Sequence, residues 1–394
     1  MRQVPLLLLA VMGLVLSCTG STGSGETRRQ IVIAGEFPLV RSGGAGATDA
    51  SRAVALALAN HPTVGGYRLV YEPLDDSLAG NQNLDKALQN AKLMVREPRI
   101  LGAVGPWNSF NARAVVPITG QANLVMVSPS TTLDCLTARP RACLTGASTA
   151  SNYFRIAAPD SVGARSEADV AVRSLRLTNF AVITDTDPAN YGMTISDAFA
   201  AEVVANGGRV VSRQKYSQTD QSYAPLLRRA RDAGAEAVFV GGFSRNGACR
   251  IRAAMTGVFP AKTYFFSGDG IVDVDCLTDA GDAANDHLVG AVSARQPASV
   301  PASLRNLPRS GSDDAYVFAA YDCAEILVAA IDRAIKLNRG KIPTREQVVA
   351  AVAGTHDFKG LTGTFSFNAN GDAANPAVSL YYVRNGTWTF WQNA

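Results

Sequence analysis

"LVMVSPSTT", Leu124 to Thr132, is an apolar run of strand length that ends in four hydroxyl side chains within five residues: Ser128, Ser130, Thr131 and Thr132. Strands more often end in Gly, Asn or Asp turn chemistry. In an open parallel sheet the crevice beyond the carboxyl ends of the strands is where ligands sit. A strand that ends in hydrogen-bond donors therefore raises two questions, whether it lies in such a sheet and what its donors would hold.

The flanking sequence answers the first. "IVIAG" is a short β run, "ATDASRAVALALAN" is helical, "YRLVYEPL" is β, and "NLDKALQNAKLMV" has apolar spacing near 3.6. "ILGAVG" is β, "NARAVVPITGQA" helical, and "LVMVS" β again. This βαβα order predicts a parallel sheet with helices on both faces. "NYFRIAAPD" at 152–160 breaks the rhythm and reads as a crossover. A second series of the same build follows, through "FAVITD", "GRVVSRQKY", "AVFVGGF" and "YFFSGDG". A Pro- and Ser-rich stretch at 293–314 leads into the apolar helix "AYVFAAYDCAEILVAAIDRAIKL". Thr344 and Gln347 fit a capping box for the next helix. "GTFSFN" and "AVSLYYVRNGTWTF" read as strands separated by a turn at "NANGD".

The chain has 394 residues, 47% of them hydrophobic, enough for two cores, since one core seldom grows past ~250–300 residues. A formal net charge of +4 with interspersed signs excludes a nucleic-acid stripe. "MRQVPLLLLAVMGLVLSC" has a minimal basic start and an apolar stretch from Leu6 to Leu16 that is short for a spanning helix, so residues 1–17 read as a signal peptide. "LVLSC" has the lipobox pattern, which makes Cys18 the expected lipidated N-terminus, with 18–28 as a flexible tether. A plain signal with an incidental Cys18 is the rival.

Export permits disulfides. Cys135 and Cys143 would close a small loop, Cys249 and Cys276 could pair next, and Cys323 sits in an apolar helix as a free thiol. Connectivity is not fixed by spacing. A metal site is disfavoured, since there is no CxxC and His61, His287 and His356 are scattered.

Candidate site residues follow the strands: Trp107, Asn108 and Ser109 after "ILGAVG", "SPSTT" after "LVMV", Tyr191 in "DPANYG", Phe243 after "AVFVGG", and Asp269 between Gly268 and Gly270. Hydroxyls and N–H groups at helix starts suit a carboxylate, and a lone acid suits an ammonium. Singly, each has a structural explanation as a helix cap, a turn residue or packing. Together they form an α-amino acid constellation. "GGAGA" at 43–47 lacks the register of a phosphate loop and reads as the start of a helix.

"GAVGPWNSFNARAVVPI", "VSPSTT", "YFRIAAPD", "DPANYG", "AEAVFVGGF", "GDG" and "YVFAAYDCAEIL" occur in an order that resembles the branched-chain amino acid-binding family of ABC-importer solute receptors, the type I periplasmic binding proteins. The resemblance runs over most of 30–385 and implies two doubly wound α/β lobes joined by three crossovers. Lobe 1 is expected over 29–151 and 296–357, and lobe 2 over 152–295 and 358–394. It implies that Ser109 and Thr132 grip a ligand carboxylate, and that Ser130 and Thr131 contribute backbone contacts. Tyr191 and Phe243 would then wall the pocket, and Asp269 would pair with the ammonium. Two departures bear on the ligand: Asp269 where many members carry Glu, and Ala45 near a position often held by Tyr.

The expectation is a monomeric, lipid-anchored, extracytoplasmic receptor without cofactor or metal. It would bind an amino acid-like zwitterion and partner an ABC permease. A sensor of the same fold and a receptor for an amide or carboxylic acid are the alternatives. A hydrolase lacks a GxSxG elbow and a His with a nucleophile partner.

Overall fold

The computed structural model describes residues 29–39, 45–78, 81–139, 143–144, 152–186, 191–307 and 314–394. The signal segment, Cys18 and its tether, and residues 187–190 lie outside the described residues.

The first sheet contains β1 (Gln30–Phe37), β2 (Tyr67–Asp75), β3 (Ile100–Val104), β4 (Val125–Ser128) and β5 (Tyr153–Arg155) in the order β2-β1-β3-β4-β5, all parallel. The two-residue strand Thr63–Val64 adds antiparallel to the β2 edge. Helices α1 (Ala45–Ala59), α2 (Leu84–Arg96) and α3 (Ser109–Gln121) form the crossovers. Period-2 alternation decides the layers. Ile31 and Ile33 face a core shared with α1, whereas Val32 and Ala34 face Ala87, Met94 and Val115 of α2 and α3. With both faces covered, β1 reads as a continuous apolar run. "GGAGA" does open a helix, at Ala45.

The second unit runs through α4 (Asp160–Asp169), β6 (Asn179–Asp185), α5 (Tyr191–Ala205), β7 (Arg209–Tyr216) and α6 (Ala224–Asp232). It continues through β8 (Ala237–Gly241), α7 (Ala248–Ala254), β9 (Tyr264–Ser267), α8 (Val274–Ala280) and β10 (Leu288–Val292). Its sheet order is β7-β6-β8-β9-β10, all parallel, extended by the antiparallel strands β11 (Ser379–Arg384) and β12 (Thr387–Asn393). Between β10 and β11 the chain returns to the first unit through α9 (Ala302–Arg305), α10 (Asp314–Leu337) and α11 (Arg345–Ala353). Helix α10 lies on α1 and β3. The Thr344–Gln347 capping box starts α11.

Three segments pass between the sheets and are tied together. Ala158 N–H donates to Ser293 O at 2.9 Å. Ser379 Oγ donates to Ala294 O and accepts from Gln296 N–H, both at 2.7 Å.

Two expected boundaries move. Tyr153–Arg155 pairs with β4, so the chain leaves the first sheet after Arg155 rather than at 152. Residues 358–373 also stay with the first unit: Asp322 of α10 accepts Leu361 and Thr362 N–H, and Arg155 pairs with Asp372 at 2.6 Å. The physical reason is the buried Arg155. It is fully enclosed, and its guanidinium binds Asp372, Thr131 O, Leu133 O and Thr137 Oγ1. Removing one partner of such a pair costs about 3–5 kcal/mol. "GTFSFN" is correspondingly a strand only over Thr364–Phe365, because the Asn368–Asp372 turn folds onto Arg155, with Arg155 N–H donating to Gly371 O at 2.9 Å.

Disulfides Cys135–Cys143 and Cys249–Cys276 span Cα separations of 5.6 and 5.1 Å, and Cys323 is a buried free thiol. Among the described residues no helix is long and apolar enough to cross a membrane, and no His, Cys, Asp and Glu group could hold a metal.

Candidate functional site

The carboxyl ends of both parallel sheets meet at one carboxylate. Asp269 follows β9 and accepts the Tyr191 hydroxyl on Oδ1 and the Tyr316 hydroxyl on Oδ2, each at 2.6 Å. Tyr191 opens α5 in the second unit, and Tyr316 opens α10 in the first. The Tyr191 oxygen also accepts Gly270 N–H at 2.9 Å, and the Tyr316 oxygen accepts Ser293 N–H at 3.2 Å. Burial raises the carboxyl of Asp269 against the two hydroxyls that lower it. Burial, then the Asp269 charge, raises both phenols far above their ordinary range, so they stay donors.

The glycines of "GDG" have a steric reason. A Cβ on Gly270 would stand 2.7 Å from the Phe243 ring and 2.9 Å from the Tyr191 ring. One on Gly268 would stand 2.5 Å from the Tyr191 hydroxyl. Only bare backbone lets the two aromatics close on Asp269. Those rings stack at 4.3 Å, and the Arg245 guanidinium lies 3.9 Å over Phe243. On the other side Trp107 meets Tyr316 edge-on at 5.9 Å.

The "SPSTT" turn behaves differently from its expectation. Its hydroxyls do not all face outward. Ser128 Oγ donates to Pro106 O at 2.8 Å and accepts Thr131 N–H at 3.1 Å. Ser130 Oγ donates to Trp107 O at 2.8 Å, and Thr131 Oγ1 is shared between Ser128 and Tyr153. Ser109 Oγ accepts the N–H groups of Thr132 at 3.1 Å and Leu133 at 3.3 Å. The turn satisfies itself because hydroxyls following a strand compete for nearby backbone groups. Ser109 is the exception. With two N–H groups on its oxygen, its own O–H is left to donate, and the residue is half-buried at the start of α3. Asn108, just before it, forms no side-chain cap.

Thr132 turns toward a residue that sequence reasoning missed. Its hydroxyl bonds the Asp160 carboxylate, and its carbonyl accepts Asp160 N–H at 2.7 Å. Burial first, and the Asp269 charge second, push the Asp160 carboxyl well above the usual carboxylate range. Trp107, Ser109, Thr132, Tyr191, Phe243 and Asp269 thus form one connected set, extended by Asp160 and Tyr316. Asp160 had a signal, since an acid in the first turn after a crossover lies at a strand-end rim. Tyr316 had none, being one more apolar position at the start of a long helix.

A further acidic pair lies at the strand ends of the first sheet. Asn111 Nδ2 donates to Asp76 Oδ2 at 2.7 Å, and Glu36 is buried against Asp76. Burial and then the Asp76 charge raise Glu36 well above the carboxylate range, while burial moves Asp76 up to about 6. Burial is the first cause of both rises.

The arrangement can bind without reacting: one carboxylate framed by hydroxyls, aromatic faces around it, and a serine O–H opposite. The profile of the periplasmic binding protein family matches residues 38–387. A Leu/Ile/Val-binding protein homolog of Brucella melitensis is 24% identical over 334 residues, covering 82% of each chain. The leucine-binding protein LivK of Thermotoga maritima superposes with a TM-score of 0.75 at 22% identity over 92% of this chain and 98% of its own. A solute-binding protein of an R. palustris ABC transporter, solved with 4-hydroxybenzoate, gives 0.73 at 18% identity over 93% and 97%. By fold, strand-end site and the match across most of its length, the chain belongs to the periplasmic binding protein family.

Proposed function

We propose that this exported protein is a lipid-anchored receptor that captures an amino acid or similar small zwitterion between its lobes and delivers it to an ABC permease. The observation that carries this reading is Asp269, a half-buried carboxylate held by Tyr191 and Tyr316 from opposite lobes, with no ion-pair partner among the described residues. An α-ammonium is the group it lacks. The Ser109 O–H, with Thr132 beside it, supplies the carboxylate end, and Trp107, Tyr191 and Phe243 supply apolar walls. Binding starts on an open form and closes by rotation about the three crossovers. No cofactor or covalent step enters. Cys18 supplies the anchor.

The test is mass spectrometry of small molecules released when the purified, folded protein is denatured. An α-amino compound supports the reading. An acid or amide without an amine, or turnover of the released compound, overturns it.

A further inference from the structure

Lobe 2 buries more carboxyl groups beside Asp269 than one ammonium can engage. Glu167 lies seven residues after Asp160 on α4, two turns along the same face, which is about 10 Å of rise. Its side chain is fully buried, and neither carboxylate oxygen accepts a well-formed hydrogen bond among the described residues. The Ser267 N–H faces it and offsets only part of the effect of burial. Helical side chains lean toward the N-terminus, so this carboxylate leans back toward Asp160 and the cleft. Ser267, the last residue of β9 and two before Asp269, is also fully buried with an unpartnered Oγ. Asp160 Oδ2 is a further unpartnered buried oxygen. Between Asp160 and Glu167 the α4 face carries only the small residues Gly163 and Ala164, and Ser293 Oγ packs against Gly163, where a Cβ would come within 3.2 Å of it.

Asp160, Glu167 and Asp269 are electrostatic neighbours, since the Asp269 charge pushes up both other carboxyls after burial does. The nearby cation, Arg155, has its guanidinium committed to Asp372, Thr131, Leu133 and Thr137. Buried acids without partners are costly, and acceptor-only oxygens beside a hydroxyl suit a multidonor cation.

We propose that the ligand carries a second cationic group, an ammonium or guanidinium, which enters a subsite made by Asp160, Glu167 and Ser267 beneath Asp269. This rests on the reading of Asp269 as the α-ammonium site, and it selects a diamino or guanidino acid over a neutral branched-chain one. Asp269 and Ser109 fix the amino acid head. Glu167 selects the side chain.

The test is calorimetry of ligand-stripped, refolded protein with L-leucine, L-ornithine, L-lysine and L-arginine at pH 7, repeated on Glu167→Gln. At least one basic amino acid should bind tenfold or more tightly than leucine. Glu167→Gln should remove most of that preference while leaving leucine affinity within about twofold. Leucine equal to or tighter than every basic amino acid overturns the subsite and leaves the amino acid reading intact. A preference unchanged in Glu167→Gln also overturns it. Binding of none of the four overturns both. If Glu167→Gln fails to fold, the order of affinities in the parent protein still decides.

Discussion

The Tyr316 hydroxyl, on the first residues of α10, donates to Asp269 Oδ2 at 2.6 Å, across 47 positions of sequence and from one lobe to the other. In the proposed closure the same carboxylate would bridge the two lobes and face the cleft. Losing a hydrogen bond to a charged group costs about 1.5–3 kcal/mol. Tyr316→Phe should shift the protein toward an open form and weaken ligand binding roughly tenfold or more. Small-angle scattering with and without the co-purified ligand checks this. An unchanged radius and affinity would show that the contact does not hold the lobes together.

Asp269→Ala should weaken the co-purified ligand at least ~30-fold, because truncating one partner of a buried charge pair costs about 2–5 kcal/mol. Ser109→Ala should cost roughly tenfold through its single free O–H. Each also removes an acceptor that the fold uses, so both should melt below the parent, and calorimetry well below those temperatures gives the affinities. Near-parental binding by Asp269→Ala would mean that no ammonium sits there.

Gly268→Ala should displace Tyr191, since its Cβ would lie 2.5 Å from the phenol oxygen. The expected result is lost affinity with little change in secondary structure. The Tyr191→Phe variant should reproduce part of that loss. Full affinity in Gly268→Ala would mean that the ring approach is not needed for binding.

The Glu36–Asp76 pair predicts a pH effect on stability. Both carboxyls titrate higher in the fold than their ordinary 4.5 and 3.8, Asp76 at about 6 and Glu36 well above its usual range. The folded state therefore holds extra protons. The pair's contribution is complete below pH ~4 and is lost as pH rises through 6 and beyond. Glu36→Gln replaces a carboxyl that must titrate with an amide that does not. Its melting temperature should gain on the parent between pH 5 and 8. The gain should correspond to on the order of 1–3 kcal/mol, because a tenfold change in proton affinity is worth about 1.36 kcal/mol. Parallel melting curves would refute the raised Glu36 carboxyl.

Cys18→Ala should move the protein from the membrane fraction to the soluble exported fraction, because acyl chains add roughly 0.8 kcal/mol of anchoring per buried CH₂. Identical fractionation of variant and parent would remove the lipid anchor from the proposal.

Local pattern determined the layers and the short-range closures. Runs such as "IVIA" are apolar at every position, and that reads as a strand covered on both faces. The Thr344 cap needs only Gln347 three residues on, and Cys135 reaches Cys143 across 8 positions. The strand-end rule likewise put Ser109, Tyr191, Phe243 and Asp269 at one rim from chain order alone. Tertiary structure decided the partners. Arg155 meets Asp372 across 217 positions, Glu36 meets Asp76, and Tyr316 meets Asp269. It also decided that the "SPSTT" hydroxyls turn inward, Ser128 to Pro106 and Ser130 to Trp107. Periodicity encodes which face of an element is buried. It does not encode which distant polar group arrives on that face, because a buried donor or acceptor is satisfied only by the chain geometry that brings a partner within about 3 Å.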